Sequence, residues 1–281
     1  MKKIIGIITS TLLVSSAFAY EGAELDRKTF QKYYTEKLNV PMEEFKNGAY
    51  AYGGDIRTQW EAEEEFPRYL EIVEKGEVLW NTPFANGKTY ASCYEGKEVS
   101  DIRPAYPHWD SEKKTVATLE GSLNACRKAN GEKALKWKKG AITHLGAYLG
   151  YEARGKKIVA TVPNEPEAIA AYEDGKKTYF TKRGQLNFAC ADCHFKYAKS
   201  MIRADQLSPT LGHTTHFPVF RGKWSGPGKD GMGTLHRRFA GCNKQVRAEP
   251  LKAQSETYKN LEFFLANIDN GLEINAPGYR K

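Results

Sequence analysis

Apolar residues recur along this chain with helical spacing. Leu261, Phe264, Leu265 and Ile268 fall at i, i+3, i+4 and i+7, the stripe of a helix with one buried face. Gly271 lies just past that stripe, where a helix commonly stops. Leu145 and Leu149 make an equivalent stripe that ends at Gly155. Pro163-Asn164-Glu165-Pro166 interrupts the pattern, and Glu167 onward opens the next helix. Residues 23–73 read as helix and loop. Leu207 to Gly233 is rich in Gly, Pro, His and Thr, and reads as one long loop wrapping a cofactor, since loops of that length are usually functional.

The N-terminus follows a different pattern. Lys2 and Lys3 precede an apolar run from Ile4 to Val14 that is too short to span a bilayer. Ala17-Phe18-Ala19 supplies a small-x-small cleavage site. Residues 1–19 are therefore expected to be a signal peptide, with the mature chain beginning near Tyr20 in the periplasm. No later segment reaches transmembrane length.

The two halves share a pattern. Glu74, Gly76 and Trp80 recur as Glu173, Gly175 and Tyr179, and each set is followed by a glycine-containing loop and a cysteine segment. Further on, the halves match without gaps at an offset of 116. Thr118-Leu119 matches Thr234-Leu235, Cys126 matches Cys242, and Leu145, Leu149 and Gly155 match Leu261, Leu265 and Gly271. This is the mark of an internal duplication. The expected fold is mainly α: two tandem, related domains plus an N-terminal helical extension. The expected boundaries are 20–73 for the extension, 74–163 for the first domain and 164–281 for the second.

The second domain contains Cys190-Ala191-Asp192-Cys193-His194. C-x-x-C-H is the attachment signature of c-type haem: two thiols take the vinyl groups, and the adjacent imidazole becomes the proximal ligand. A zinc or thioredoxin-like motif is the competing reading. It lacks a second Cys-x-x-Cys and does not explain the histidine. In the first half Tyr90 stands where Cys190 would be and Tyr94 where His194 would be. One covalent haem is expected, and with it two tandem cytochrome c-like domains: 74–163 without haem and 164–281 haem-binding.

Three cysteines remain. Cys93 and Cys126 occupy positions that would flank a haem in a half unable to attach one, so they are expected to pair; Cys126–Cys242 is the alternative. Cys242 lies among His236, Arg237, Arg238, Lys244 and Arg247. Cationic neighbours favour a thiolate. For the sixth ligand, Met232, His213, His216, His236 and Cys242 all remain candidates, while His108 and His144 lie in the other half. The formal charge of +8 falls to +6 without Lys2 and Lys3 of the expected signal peptide (40 basic minus 34 acidic), and this modest positive balance suits an anionic substrate or an acidic partner. There is no nucleic-acid motif.

The C-x-x-C-H segment, Arg-x-x-x-Cys (Arg238 to Cys242), Arg-x-Glu-Pro (Arg247 to Pro250), Leu-Glu-x-x-Leu (Leu261 to Leu265) and a terminal Pro-Gly-x-Arg (Pro277 to Arg280) together resemble SoxA. SoxA is the larger subunit of the SoxAX cytochromes of sulfur-oxidising bacteria. The resemblance covers nearly all of the mature chain. Tyr90 and Tyr94 place it with the single-haem members, in which a disulfide replaces the first haem. The resemblance implies an L-cysteine S-thiosulfotransferase that joins thiosulfate to a cysteine of the carrier SoxYZ, two electrons leaving through haem. It implies Cys242 as distal ligand and carrier of the thiosulfate adduct, either as thiolate or as persulfide, and Arg238 as the substrate-binding arginine. Arg237, Lys244 and Arg247 are candidates for steering the anion or the carrier. The implied partner is a small monohaem cytochrome c, SoxX. A plain electron-transfer cytochrome is the alternative and would need Met232 on the iron.

Overall fold

The computed structural model describes residues 19–281. All of the expected signal peptide except Ala19 lies outside the described residues. Helix α1 (Glu21–Leu38) places Glu21 and Glu24 in its first turn and Lys37 in its last, complementing the helix dipole. It buries Ala23, Phe30 and Tyr34 along one face. Short 3₁₀ turns over Met42–Tyr52 and helix α2 (Gly54–Glu65) follow.

The next elements are α3 (Leu70–Asn81), α4 (Val99–Ile102), the antiparallel pair β1 (His108–Asp110) and β2 (Thr115–Ala117), α5 (Leu119–Ala129) and α6 (Ala141–Glu152). Then come α7 (Pro166–Phe180), the two-residue strands β3 (Met201–Ile202) and β4 (Asp205–Gln206), a hairpin of β5 (Val219–Gly226) and β6 (Lys229–Gly233), α8 (Leu235–Gln245), α9 (Glu256–Ile268) and β7 (Gly278–Arg280). Helix α7 opens at Pro166, one residue before the expected Glu167, because proline is preorganised for the first helical position.

The two halves set out matching elements. Thr118 caps α5 by accepting from the Gly121 amide, and Thr234 caps α8 by accepting from Arg237. Helix α3 packs on α6, and α7 packs on α9. A Cβ on Gly76 would lie 2.1 Å from the His144 carbonyl oxygen, and one on Gly175 would lie 2.0 Å from that of Asn260. Only glycine allows these two close crossings, and His144 and Asn260 are themselves matched at the same offset of 116.

Past α6 and α9, the two halves exchange backbone bonds. The Gly155 amide donates to Ile274 O (3.0 Å), and the matched Gly271 amide donates to Ile158 O (3.0 Å). Ile158 donates to Leu272 O and Ile274 donates to Lys156 O.

The core forms two main clusters. One gathers α1, α7 and α9 around Phe30, Tyr34, Tyr172, Tyr179, Phe263 and Phe264. The N-terminal extension thus supports the second half through α1. The other gathers α3, α5 and α6 around Trp80, Tyr90, Tyr94, Leu123 and Leu149. Helix α9 is buried on every face from Asn260 to Ile268, not along one stripe alone.

Leu207–Gly233 is not one long loop. Its later part is the β5–β6 hairpin, and β5 also pairs in parallel with β7. The hairpin carries Phe220 and Met232 into the first half's core, and this apolar anchoring turns a Gly-rich segment into strand. Among the described residues, no helix is long and apolar enough to cross a membrane.

Candidate active site

Cys190 and Cys193 stand one helical turn apart on a segment closed by Asp192, whose carboxylate accepts from the Ala189 amide at 2.7 Å. Their thiols, His194 and the Cys242 thiol line one cavity of about 1270 Å³, part of it open to solvent. Cys190, Cys193 and Cys242 are free thiols. Burial, with the Cys242 sulfur nearby, pushes the Cys190 thiol up to about 12. Burial likewise raises Cys193.

His194 Nδ1 lies 2.9 Å from the Ser208 carbonyl oxygen. Nδ1 therefore carries the proton, and Nε2 is left with its lone pair for a metal. Burial drops the imidazole to about 4, which keeps it neutral. The backbone beneath it is pinned as well. The Tyr34 hydroxyl donates to His194 O at 2.7 Å, and Thr210 N donates to the same oxygen at 3.1 Å.

The cavity is cationic. Arg183, Arg221, Arg238 and Arg280 line it, with Asp205 as the only lining carboxylate. Arg221 is 1% exposed. Its Nη2 reaches Asp205 at 3.2 Å and the Lys281 carbonyl, yet its buried Nε has no partner. Burial, then the neighbouring Arg238 and Arg280, lower it to about 10. A buried cation with an unused donor calls for an anion.

This donor set fits a c-type haem. Cys190 and Cys193 would attach it and His194 Nε2 would ligate the iron. The arginines would meet its two propionates.

Arg238 and Cys242 are four residues apart on α8 and so share a face. Among the described residues, the Arg238 guanidinium makes no hydrogen bond or ion pair. The other cations near Cys242 in sequence are turned elsewhere by the helical period. The Arg237 guanidinium lies over the Trp224 ring at 4.1 Å and bonds Met232 O, outside the cavity lining. Lys244 and Arg247 are exposed and do not line the cavity. Arg247 reaches Gln185 at 3.5 Å. His236 is buried beside Glu262 (3.0 Å) and accepts from the Gln254 amide.

Met232 is fully buried in the first half's core and is absent from the cavity wall. His213 and His216 do line the cavity. His213 Nε2 lies 3.1 Å from Nδ1 of His194, so it meets the edge of that ring. His108 bonds Ala105 O, and His144 bonds Asp230 at 2.7 Å, both outside the cavity.

In the first half, aromatic side chains occupy the corresponding region. Tyr90 stacks on Trp80 at 5.7 Å, and Phe84 meets Tyr90 edge-on at 4.9 Å. The hydroxyls of Tyr94 and Tyr106 both donate to Ser122, the residue matched to Arg238. Cys93 and Cys126 are joined in a disulfide.

Sequence reasoning overlooked three of the cavity's arginines. Arg280 was visible in the terminal Pro-Gly-x-Arg but carried no role until β7 paired with β5. Arg221 lay in a segment read as loop, and Arg183 had no distinguishing neighbours.

The cytochrome c domain of the SoxA/TsdA family matches residues 75–158, which belong to the half without C-x-x-C-H. The chain is 49% identical to the L-cysteine S-thiosulfotransferase subunit SoxA of Allochromatium vinosum, over 98% of this chain and 99% of that one. It is 44% identical to the subunit of the same description from Chlorobaculum tepidum, over 100% of both. Among solved structures, the crystal structure of SoxXA from P. pantotrophus contains a similar chain. The TM-score is 0.70 at 29% identity, covering 80% of this chain and 84% of that one.

Proposed function

Because the chain belongs to the SoxA family of L-cysteine S-thiosulfotransferase subunits, which act in thiosulfate oxidation, we propose that its cationic cavity is the site where thiosulfate is joined to sulfur. One observation carries this reading: Arg238, without a protein partner among the described residues, lies one turn from the free thiol of Cys242 in the cavity that also holds C-x-x-C-H.

Thiosulfate is a dianion. Arg238 holds its sulfonate end by paired charge-assisted hydrogen bonds, and this leaves the outer sulfur facing Cys242. A sulfur–sulfur bond forms between the Cys242 thiolate and that outer sulfur, and two electrons are released. A haem held by Cys190, Cys193 and His194 would supply the electron acceptor for that oxidation. The thiolate of a SoxY cysteine then attacks the adduct at the thiosulfate-derived sulfur. Its bond to Cys242 breaks, SoxY carries the S-thiosulfonate away, and Cys242 returns as a thiolate.

Several finer statements belong to the same reading. The chain holds one haem, because aromatic side chains fill the first half's equivalent region and its two remaining cysteines are spent on each other. The two halves are tandem cytochrome c-like domains, supported by their matched caps and glycine crossings. A SoxX-type cytochrome c is the partner that accepts the electrons. The compartment is the periplasm, where haem attachment and a disulfide both belong.

The test is Arg238→Ala in the haem-bearing protein with its partner present. Turnover with thiosulfate and SoxYZ falls about 10²–10³-fold, the usual cost of losing one key anion donor, while the absorption spectrum stays that of the parent. Parental turnover would sink the assigned role. Intact mass gives one haem, and a ferric spectrum with methionine–iron character would defeat Cys242 as ligand.

A further inference from the structure

Beside His194 lies a group that neither haem attachment nor sulfur transfer uses. His213 Nε2 is 3.1 Å from His194 Nδ1, with the two rings edge-on at 4.3 Å between centroids. Ser208 completes a triangle. Its carbonyl oxygen is 2.9 Å from His194 Nδ1, and its hydroxyl is 3.0 Å from His213 Nε2.

The contact is built into the fold. The amides on either side of His213 both point at one buried carboxylate: Gly212 N donates to Asp269 Oδ1 at 2.6 Å and Thr214 N to Oδ2 at 2.7 Å. The Thr214 hydroxyl donates to the same Oδ2 at 2.7 Å. From the first half, Arg103 Nη2 donates to Thr214 O at 2.8 Å. Four hydrogen bonds from two elements therefore fix the position of one imidazole.

We propose that His213 is a positioning residue for the proximal ligand. Its Nε2 lone pair is a second acceptor, beside the Ser208 carbonyl, for the Nδ1 proton of His194. The proposal rests on His194 being the proximal ligand. A neutral His213 carries its own proton on Nδ1 and leaves Nε2 as acceptor. Two acceptors on one N–H draw its proton outward and make the opposite ring nitrogen a stronger donor to iron, which favours the ferric state. The Ser208 hydroxyl competes for the same lone pair, so Ser208 and His213 set the donor strength together.

Potentiometric titration of the purified haem-bearing protein tests this, paired with the ¹⁵N shift of His194 Nδ1 in histidine-labelled protein. His213→Leu raises the reduction potential and moves the His194 nitrogen signal toward that of a less hydrogen-bonded N–H. His213→Gln, whose amide oxygen restores an acceptor, brings both back toward the parent. Ser208→Ala moves the potential the opposite way, because His213 is then left to His194 alone. Should His213→Leu fail to load haem, His213→Met takes its place.

An unchanged potential overturns the proposal. So does an equal shift in the Leu (or Met) and Gln variants, which would mark a packing effect. His194→Gln separates the underlying reading: attached haem without the parental low-spin spectrum supports His194 as ligand, and a parental spectrum removes it.

Discussion

At the scale of residues, function depends on which side chains are left uncommitted. Arg237 and Arg238 are adjacent and chemically identical, yet one lies over Trp224 and the other lines the cavity without a partner. Their substitutions therefore separate. Arg238→Ala costs turnover, as argued above. Arg237→Ala leaves turnover within about 3-fold of the parent and lowers stability by about 1–2 kcal/mol, because a half-buried cation–π contact and a bond to the hairpin are lost. Chemical denaturation beside an activity assay checks the pair. The C-x-x-C-H spacing is read directly from sequence, since that spacing is itself the proposed means of haem attachment. The cations near Cys242 are not. Linear distance counted four of them (Arg237, Arg238, Lys244 and Arg247), whereas a helix shows one face every 3.6 residues and keeps only Arg238 beside the sulfur. Met232 was misleading for a different reason: methionine is a common sixth ligand in cytochromes c, but this one is carried by a strand into the other half's core.

At the scale of elements, the β5–β6 hairpin is what the sequence concealed. Its glycines and prolines signal loop, and only its contacts with α6 and β7 make it strand. Asp230 on this hairpin meets His144 on α6 at 2.7 Å. The hydrogen bond from His144, helped by the charge of Arg237, holds the Asp230 carboxyl below its usual value, against the opposing effect of burial. A carboxyl depressed in the folded state contributes stability above its unfolded value of about 3.9 and loses it as pH falls through the folded value. Asp230→Asn should thus lower stability by about 1–2 kcal/mol at pH 7, and the gap from the parent should close on acidification. Denaturation midpoints measured from neutral to acidic pH decide it. The helices were easier to read. The 3.6-residue stripes of α6 and α9 were plain, though burial of α9 on every face depends on α1 and α7, which no local pattern reveals.

At the scale of the molecule, the first half is a scaffold with its interior filled. A disulfide closing a 33-residue separation takes over part of the cross-linking that a covalent cofactor would supply. Cys93→Ser with Cys126→Ser should destabilise the protein by about 3–4 kcal/mol through loop entropy in the unfolded chain. Haem content should remain that of the parent, because the attachment site lies in the other cluster. Thermal unfolding and intact mass check both statements.

The reciprocal bonds between Gly155 and Ile274 and between Gly271 and Ile158 have a further consequence. Matched donors answering matched acceptors are the signature of an isologous contact, the kind that closes a two-fold dimer. Here both members of the contact lie on one chain. A true homodimer must accept every substitution twice, once on each side of its axis. Covalent linkage lifts that constraint, so on the proposed single-haem reading one half can carry Tyr90 and Tyr94 where the other carries Cys190 and His194, with the same matched bonds holding the two together.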